Sequence, residues 1–530
     1  MLKHTIIFSI IPALCFSISD EDFFKIQRAQ RQIDSHTIKS KVSNFDLKKR
    51  RAKQQTNGDQ QLYPDFHGNF NKALIHQPNG FPNPEAYQSL VKALTGKDNN
   101  LFNEIQIGGS VKLVNPQASF TYSLLGNVGW INTIDPAPTF TSQESAGEMV
   151  EVYWTALARD VPFNDFDTDS IAAAAIAELN TLPIFKGPKI NGQVTPRTFL
   201  RGNIPGTLKG PYISQFLYKE IPYGTTMIPV EQENPTQSQV NDFNTTFSDW
   251  FTVITGNTTG NSITFDGTPH FLRTPRDLGE YVHQDTPEQA ALNALLLLNS
   301  FGEPALDRNN PYLNNRTQSG FVTFAIGEIL LLTRAAVQEG LKAAWYQKWQ
   351  VNRRLRPEEY GFYVQKQKVN NTNLGIQSTL INSMALDEIF IAFGSYFLPM
   401  AYPEGSPNHP SYPAGHATFM GAAITVLKAF YNESFLIPDP QEPNDANTAL
   451  QNYSGDLTVG GELNKLATNI ALGRDHAGVH YRSDGFQGLL LGEAIAIDVL
   501  NNEAFLINED FKGFSLTKFD GTTIIVGGKK

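Results

Sequence analysis

The second half of the chain carries a long apolar pattern that fits one face of a helix. Within residues 321–352 the apolar positions follow one another at spacings of three and four: Val322, Ala325, Ile329, Leu332 and Ala336. This spacing matches the 3.6-residue period of an α-helix and predicts a long one. Similar patterns fill residues 378–399, 415–431, 461–475 and 484–501. Chains with so many helical segments fold into helical bundles.

The first half combines helix signals with loops. Helix signals occupy residues 83–96, 142–159, 168–180 and 286–298. The first and last of these begin with a capping residue and a proline, Asn83-Pro84 and Thr286-Pro287. Residues 183–275 are rich in Pro, Gly, Thr and Asn, which predicts loops with a small hairpin. We therefore predict a mainly α fold with two four-helix-bundle-like cores, long loops and small β-hairpins.

Composition narrows the class of protein. The chain has 530 residues, of which 41% are hydrophobic and 18% are charged, and these proportions are typical of a soluble globular protein. The net charge of -10 argues against a nucleic-acid-binding protein, which would present a basic face.

The N-terminus has the features of a signal peptide over residues 1–19. Lys3 begins a short positive region, an apolar run follows over residues 5–16, and small residues precede a cleavage point after Ser19. The apolar run is shorter than the ~20 residues that a membrane span needs. We therefore predict a secreted protein, extracellular or held in the cell wall or periplasm. Cleavage would remove Cys15, the one cysteine of the chain.

The rest of the chain divides into a basic arm and one large domain. Residues 20–60 are polar, and their densest charge run is residues 48–51, which is typical of a solvated arm. Residues 61–530 are predicted to form a single helical domain. Its catalytic bundle is expected to span about residues 285–505.

The first of three short motifs places cations at the end of the long predicted helix. Arg356 precedes Pro357, which disfavours a helical backbone before it and so marks a helix end. Lys348 and Arg356 can then converge on one ligand, with a point charge and a guanidinium fork that both suit oxyanions. Arg353 and Arg354 are alternative candidates for this role, and one of them is expected to lie at the surface instead. The alternative is a solvated helix end.

The second motif is a turn that begins a helix. Pro413 and Gly415 favour a turn, and an apolar helix follows from Ala417. The free N–H groups and the positive dipole end of that helix would form an anion site. His416 would face the ligand from the first helical turn. The alternative is a histidine that only caps the helix.

The third motif contains Arg474 and His480. Residues six apart point away from each other on an unbroken helix, so these two can share a ligand only if the chain turns between them. Gly478 supplies that break. Asp484 either caps the next helix or orients His480. Together the three motifs supply three cations, a glycine N–H and two histidines, which describes a pocket for a tetrahedral oxyanion.

At this point the chain resembles the vanadium-dependent haloperoxidases, especially the algal bromoperoxidases. The wider superfamily includes acid phosphatases that share the anion pocket. The resemblance extends beyond the three motifs to residues 115–118, 148–154, 159–163 and 276–278, so it covers most of the mature chain.

The resemblance implies a role for each motif residue. His480 would bind vanadium directly, His416 would act as acid and base, and Lys348 would hydrogen-bond the peroxide and make it electrophilic. Arg356 and Arg474 would bind the vanadate oxygens with Lys348 and the Gly415 N–H. The residues implied around this centre are His409 and Trp345 on the halide approach, Asp484 as a partner of His480, and Asp285 as a partner of Arg474.

One departure from the family pattern concerns the residue before Gly415. The family usually has serine there, whereas this chain has Ala414. Losing one hydrogen bond to a charged oxygen should weaken vanadate binding by about 1–3 kcal/mol unless water substitutes.

The implied reaction is the oxidation of bromide or iodide by hydrogen peroxide to hypohalous acid, which halogenates organic acceptors. The resemblance further implies a vanadate cofactor and a homo-oligomer; calcium is left open, with nothing in the sequence to support it. Two alternatives stay open: a secreted acid phosphatase, and a non-catalytic oxyanion-binding protein. Seven residues separate Lys348 from Arg356, where the phosphatases usually have six.

Overall fold

The computed structural model describes residues 19–49, 53–96, 98–125, 129–224, 230–238, 241–370, 372–444 and 447–527. Except for Ser19, the predicted signal peptide at residues 1–19 lies outside these ranges, as do two residues of the basic run, Arg50 and Arg51. Across the described ranges we find no helix with the length and apolar content needed to cross a bilayer.

Helices dominate the N-terminal half. Helix α1 (Asp20–Lys48) begins at a Ser19 cap and buries none of its residues, so the predicted arm is largely a solvated helix. It is followed by α2 (Asp59–Leu62), α3 (Pro84–Thr95), α4 (Gln143–Leu157), α5 (Ser170–Leu179), α6 (Phe247–Ile254), α7 (Pro275–Gln284) and α8 (Gln289–Ser300). Helix α4 is buried along almost its whole length and packs against neighbours from both halves of the chain.

The C-terminal half contains the bundle that carries the motifs. Its helices are α9 (Ile326–Tyr346), α10 (Pro357–Asn370), α11 (Ser378–Ile381), α12 (Met384–Phe393), α13 (Gly415–Phe430), α14 (Val459–His476) and α15 (Arg482–Ala504). Helices α9, α13 and α15 pack on one another, and α14 packs on α13, α15 and α7. Within α13, His416 is the one residue that is not fully buried. The central helix of the bundle therefore reaches the surface at a motif residue.

Two small antiparallel hairpins complete the described fold. Strand β1 (Gln441–Pro443) pairs with β2 (Leu450–Asn452), and β3 (Phe514–Thr517) pairs with β4 (Thr523–Val526). The hairpin expected within residues 183–275 is replaced there by isolated bridges, such as Ile221 with Val230. That stretch also contains α6, which its loop-like composition did not indicate.

Three helix boundaries differ from the sequence prediction for local reasons. The long helix is regular only from Ile326 to Tyr346 and then widens into a π-helical turn, Gln347–Asn352. The segment 378–399 is split into α11 and α12, because the side chain of Ser383 caps a new helix. Helix α10 was missed altogether. It begins at Pro357, because proline is favoured at the first position of a helix.

The contact between α13 and α15 depends on glycine. A Cβ atom on Gly492 would overlap the carbonyl oxygen of Thr418 and lie 2.6 Å from the Ala422 nitrogen. The two backbones are therefore in direct contact, and this holds the middle of α15 against the first half of α13.

We predict that Gly492→Ala lowers the free energy of unfolding by about 1–3 kcal/mol or more, because the added methyl forces α13 and α15 apart. Gly327→Ala is the matched control: this exposed glycine of α9 has open space around its Cβ position and should gain about 0.5–1 kcal/mol. Chemical denaturation measures both. A Gly492→Ala protein as stable as the wild type would contradict the close approach.

Candidate active site

Lys348 lies in the π-helical turn that ends the long helix. This turn closes at Arg353, whose backbone is left-handed with a φ of 43°. The Lys348 side chain is fully buried, and its Nζ donates to the carbonyl oxygens of Pro410 and Ser411 at 2.7 and 2.8 Å. Burial, followed by the nearby charge of Arg356, lowers the pKa of Lys348 well below its ordinary value.

Arg356 lies between the π-helical turn and α10, as its position before Pro357 predicted. Its Nε donates to the His409 carbonyl oxygen at 2.9 Å, and its Nη1 donates to the Val479 carbonyl oxygen at 2.8 Å. Nη1 also lies 2.9 Å from His480 Nε2. Burial lowers the pKa of Arg356 to about 10. One guanidinium thus connects the first motif with the second and the third.

His480 is oriented by Asp484 from the first turn of α15. Its Nδ1 lies 2.8 Å from Asp484 Oδ2. Burial alone would raise the pKa of Asp484, but the charge of Arg354 and the hydrogen bond from His480 hold it well below its usual range. A carboxylate there accepts the Nδ1 proton, which leaves the Nε2 lone pair directed at the cationic cleft. Asp484 also belongs to the capping box of α15, so both predicted roles apply.

The second motif ends at the start of α13, where Gly415 and His416 lie. Gly415 is the first residue of α13, where the backbone N–H has no acceptor within the helix. His416 Nε2 lies 3.0 Å from Asp285 Oδ1, and burial together with the charge of Arg474 lowers the pKa of His416. The predicted pairing of Asp285 with Arg474 is therefore wrong, because the end of α7 brings this carboxylate to the imidazole.

Arg474 approaches from the last turn of α14. Its Nη1 donates to the Val282 carbonyl oxygen at 2.6 Å and to the Tyr402 hydroxyl at 3.3 Å. Its Nε is buried and has no hydrogen-bond partner among the described residues. The charge of Arg474 also contributes to the lowered pKa values of Lys348 and Arg356, so the three cations lie close enough to repel one another, and the region between them is called the cleft.

Two aromatic rings border this cleft. The rings of Trp345 and His409 lie 4.9 Å apart between centroids. Arg356 Nη2 lies 3.0 Å from His409 Nδ1, and burial followed by the charges of Lys348 and Arg356 lowers the pKa of His409 well below its ordinary value. His409 is therefore a neutral ring beside two cations, at the place where the sequence predicted the halide approach.

The donor set fits a tetrahedral oxyanion. The charges of the three buried cations act on the imidazoles of His416 and His480. The Gly415 N–H and the unpartnered Nε of Arg474 are donors available to a ligand. The described residues contain no cluster of three or more histidine, cysteine or carboxylate side chains arranged to hold a metal ion. An oxyanion with one direct imidazole ligand does not require such a cluster.

Sequence reasoning missed the groups behind His480. Arg354 is buried and binds Asp484 at 2.7 Å, whereas Arg353 is partly exposed and binds Gln60 at 2.8 Å. The sequence predicted that one arginine of this pair serves the surface but not which one. Ser411, whose hydroxyl binds Asp484, lies inside the second motif and was not identified because serine is common in turns.

Comparisons with known proteins identify the relatives of this chain. Residues 328–509 match the family model described as the VCPO second helical-bundle domain. A vanadium-dependent bromoperoxidase of Ascophyllum nodosum is 34% identical over 511 residues, which cover 90% of this chain and 90% of that protein. The chain belongs to the vanadium-dependent bromoperoxidase family. Another bromoperoxidase of this family, from Corallina pilulifera, is 33% identical over 88% of this chain and 94% of its own length.

A solved bromoperoxidase has the same fold. The homohexameric second vanadate-dependent bromoperoxidase of Ascophyllum nodosum aligns with a TM-score of 0.89 at 29% identity, over 94% of this chain and 90% of that one. The family resemblance and the mainly helical fold predicted from the sequence are therefore confirmed.

We predict that Asp285→Asn lowers the pKa of His416 further, because the carboxylate stabilises the protonated imidazole. Glu404→Gln is the matched control. Although burial opposes it, the hydrogen bonds of His283 to Glu280 and Glu404 raise the pKa of His283 to about 9, so Glu404→Gln should lower the pKa of His283 and leave His416 unaffected. Histidine titration by NMR measures both. An unchanged or raised His416 pKa in Asp285→Asn would refute the pairing.

Proposed function

We propose that this bromoperoxidase-family protein binds vanadate at His480 and uses hydrogen peroxide to oxidise bromide or iodide. The product would be hypohalous acid, which halogenates organic acceptors. The observation that carries the proposal is the His480 Nε2 lone pair, fixed by Asp484 and directed into a cleft with three buried cations. The bromoperoxidase relatives match over about nine-tenths of the chain.

Each cleft residue would bind the cofactor in its own way. Lys348, Arg356 and Arg474 would neutralise the vanadate oxygens, with the Gly415 N–H as a further donor. Bound vanadate would supply the Lewis acid that activates peroxide. Because Lys348 is buried and lies beside another cation, its hydrogen bonds to an oxyanion are made in a low-dielectric site, where they are strong.

His416 is placed to move a proton. Its Nε2 is held by Asp285, so its Nδ1 can accept a proton from hydrogen peroxide in the cleft. The lowered pKa keeps this ring neutral and able to act as a base. His409 and Trp345 would line the path by which a halide reaches the site. Because His409 is neutral, the neighbouring cations would supply the attraction for the anion.

The acid phosphatase alternative uses the same residues differently, with His480 as nucleophile and His416 as general acid. The seven-residue spacing and the relatives both favour the peroxidase. Phosphate-ester hydrolysis in the absence of vanadate, abolished when vanadate is added, would support the phosphatase. Tight vanadate binding without dye bromination would support the non-catalytic binder.

We further propose that the protein is secreted and homo-oligomeric. The signal-peptide features of residues 1–19 support export. Helix α1 supports assembly, because it presents exposed Phe24, Ile26 and Ile33, and the related Ascophyllum enzyme is homohexameric. Light scattering of the mature protein tests the oligomer.

We predict that His480→Ala weakens vanadate binding by more than about 100-fold and abolishes bromination, because the direct ligand is lost. The exposed His36 of α1 provides the control, since His36→Ala should bind as the wild type does. Equilibrium dialysis against vanadate measures the affinity. Retention by His480→Ala at the wild-type level would refute the ligand assignment.

We predict that Ala414→Ser tightens vanadate binding roughly fivefold or more, because the new hydroxyl adds a donor to a charged oxygen. Serine at this helix cap could also stabilise α13. Ala325→Ser separates the two effects, because Ala325 caps α9 without a side-chain hydrogen bond. It should raise the melting temperature without changing affinity. If Ala414→Ser, like this control, changed the melting temperature but not the vanadate affinity, the account of a missing hydrogen-bond donor would be contradicted.

A further inference from the structure

Arg354 connects the histidine ligand to the other half of the fold. Its side chain is 2% exposed. Nη1 donates to Asp484 Oδ1 at 2.7 Å, and Nη2 donates to Glu148 Oε2 on α4 at 2.8 Å. A chain of charge-assisted hydrogen bonds therefore runs from Glu148 through Arg354 and Asp484 to His480.

The two oxygens of Asp484 have separate tasks. Oδ1 accepts from Arg354, and Oδ2 lies 2.8 Å from His480 Nδ1 and also accepts from the Tyr481 backbone nitrogen at 3.1 Å. The Ser411 hydroxyl donates to the same Oδ2. Because both oxygens are held, the carboxylate cannot rotate about its Cβ–Cγ bond without breaking a buried hydrogen bond.

Arg354 is itself held from several sides. Its guanidinium stacks on the Tyr481 ring at 3.8 Å. Glu148 also accepts from the Ser483 backbone nitrogen at 2.7 Å, and Arg354 Nη1 donates to the Ser483 hydroxyl at 2.9 Å. The start of α15 is thus tied to α4 directly beside the residue that orients His480.

A second ion pair joins the same two helices but does not contact Asp484. Arg482 binds Glu151 at 2.5 Å and also joins the start of α15 to α4. Its hydrogen bonds go to Glu151 and to the Arg201 carbonyl oxygen rather than to Asp484. The Arg482–Glu151 pair can therefore hold α4 against α15 without Arg354.

We propose that Arg354, anchored by Glu148, is a positioning residue that orients Asp484 so that His480 keeps its proton on Nδ1 and its Nε2 lone pair towards the oxyanion. The inference rests on the proposed function, since it concerns the same ligand. Without Arg354 the Oδ1 side of Asp484 loses its charged partner, so that only the Oδ2 contacts resist rotation of the carboxylate. A carboxylate held less firmly lets the imidazole carry its proton on Nε2, where it blocks coordination.

The test compares three variants of the full-length mature protein. Arg354→Met removes the anchor, Arg354→Lys keeps the charge but not the planar fork, and Arg482→Met removes the matched pair. Vanadate affinity is measured by equilibrium dialysis, the histidine tautomer by long-range ¹⁵N–¹H NMR, and stability by denaturation. If Arg354→Met does not fold, the double variant Arg354→Met with Glu148→Met removes the ion pair as a unit and keeps the net charge.

We expect Arg354→Met, or the double variant, to bind vanadate about 10–100-fold more weakly, with His480 losing its uniform Nδ1–H signal. Arg354→Lys should recover part of the affinity. Arg482→Met should lose stability but keep affinity within about threefold, because it does not contact Asp484. Wild-type affinity and tautomer in Arg354→Met, or an equal loss in Arg482→Met, would overturn the proposal. A wild-type chain that does not bind vanadate would overturn the proposed function as well.

Discussion

The repulsion among the buried cations of the cleft is the constraint on which the rest of the site depends. Lys348 and Arg356 are fully buried and Arg474 is 4% exposed, and each would be more stable apart or in water. Each is held instead by carbonyl oxygens, which supply partial negative charge but no full counter-charge. Such a cleft favours an anionic ligand, because the nearby Asp484 carboxylate only partly offsets the charges of Lys348 and Arg356.

The bundle holds these groups through interruptions of its helices. The π-helical turn after α9 places Lys348, the break before α10 places Arg356, and Gly478, with a φ of 81°, separates α14 from α15. Each interruption lies at a helix end, where backbone groups without intrahelical partners are available.

The sequence predicted the residues of the site better than their partners. Motif spacing indicated Lys348, Arg356, His416, Arg474 and His480 as candidates, since their motifs combine cations or histidines with a helix break at Pro357, Gly415 or Gly478. It could not tell Arg353 from Arg354, because the left-handed turn at Arg353 decides which side chain is buried. The sequence also did not predict the partner of Asp285, because that contact depends on how α7 packs beside α13. The boundary of the long helix was missed because a π-helical turn has the composition of an ordinary helix.

The central claim is that His480 Nε2 is the direct ligand of an oxyanion held by these cations. A crystal structure of the mature protein soaked in vanadate tests it most directly. The account predicts vanadium within covalent bonding distance of His480 Nε2, with oxygens in hydrogen-bonding contact with Lys348, Arg356 and Arg474. Vanadium bound elsewhere, or an imidazole 480 that carries its proton on Nε2 and faces away from the anion, would contradict it.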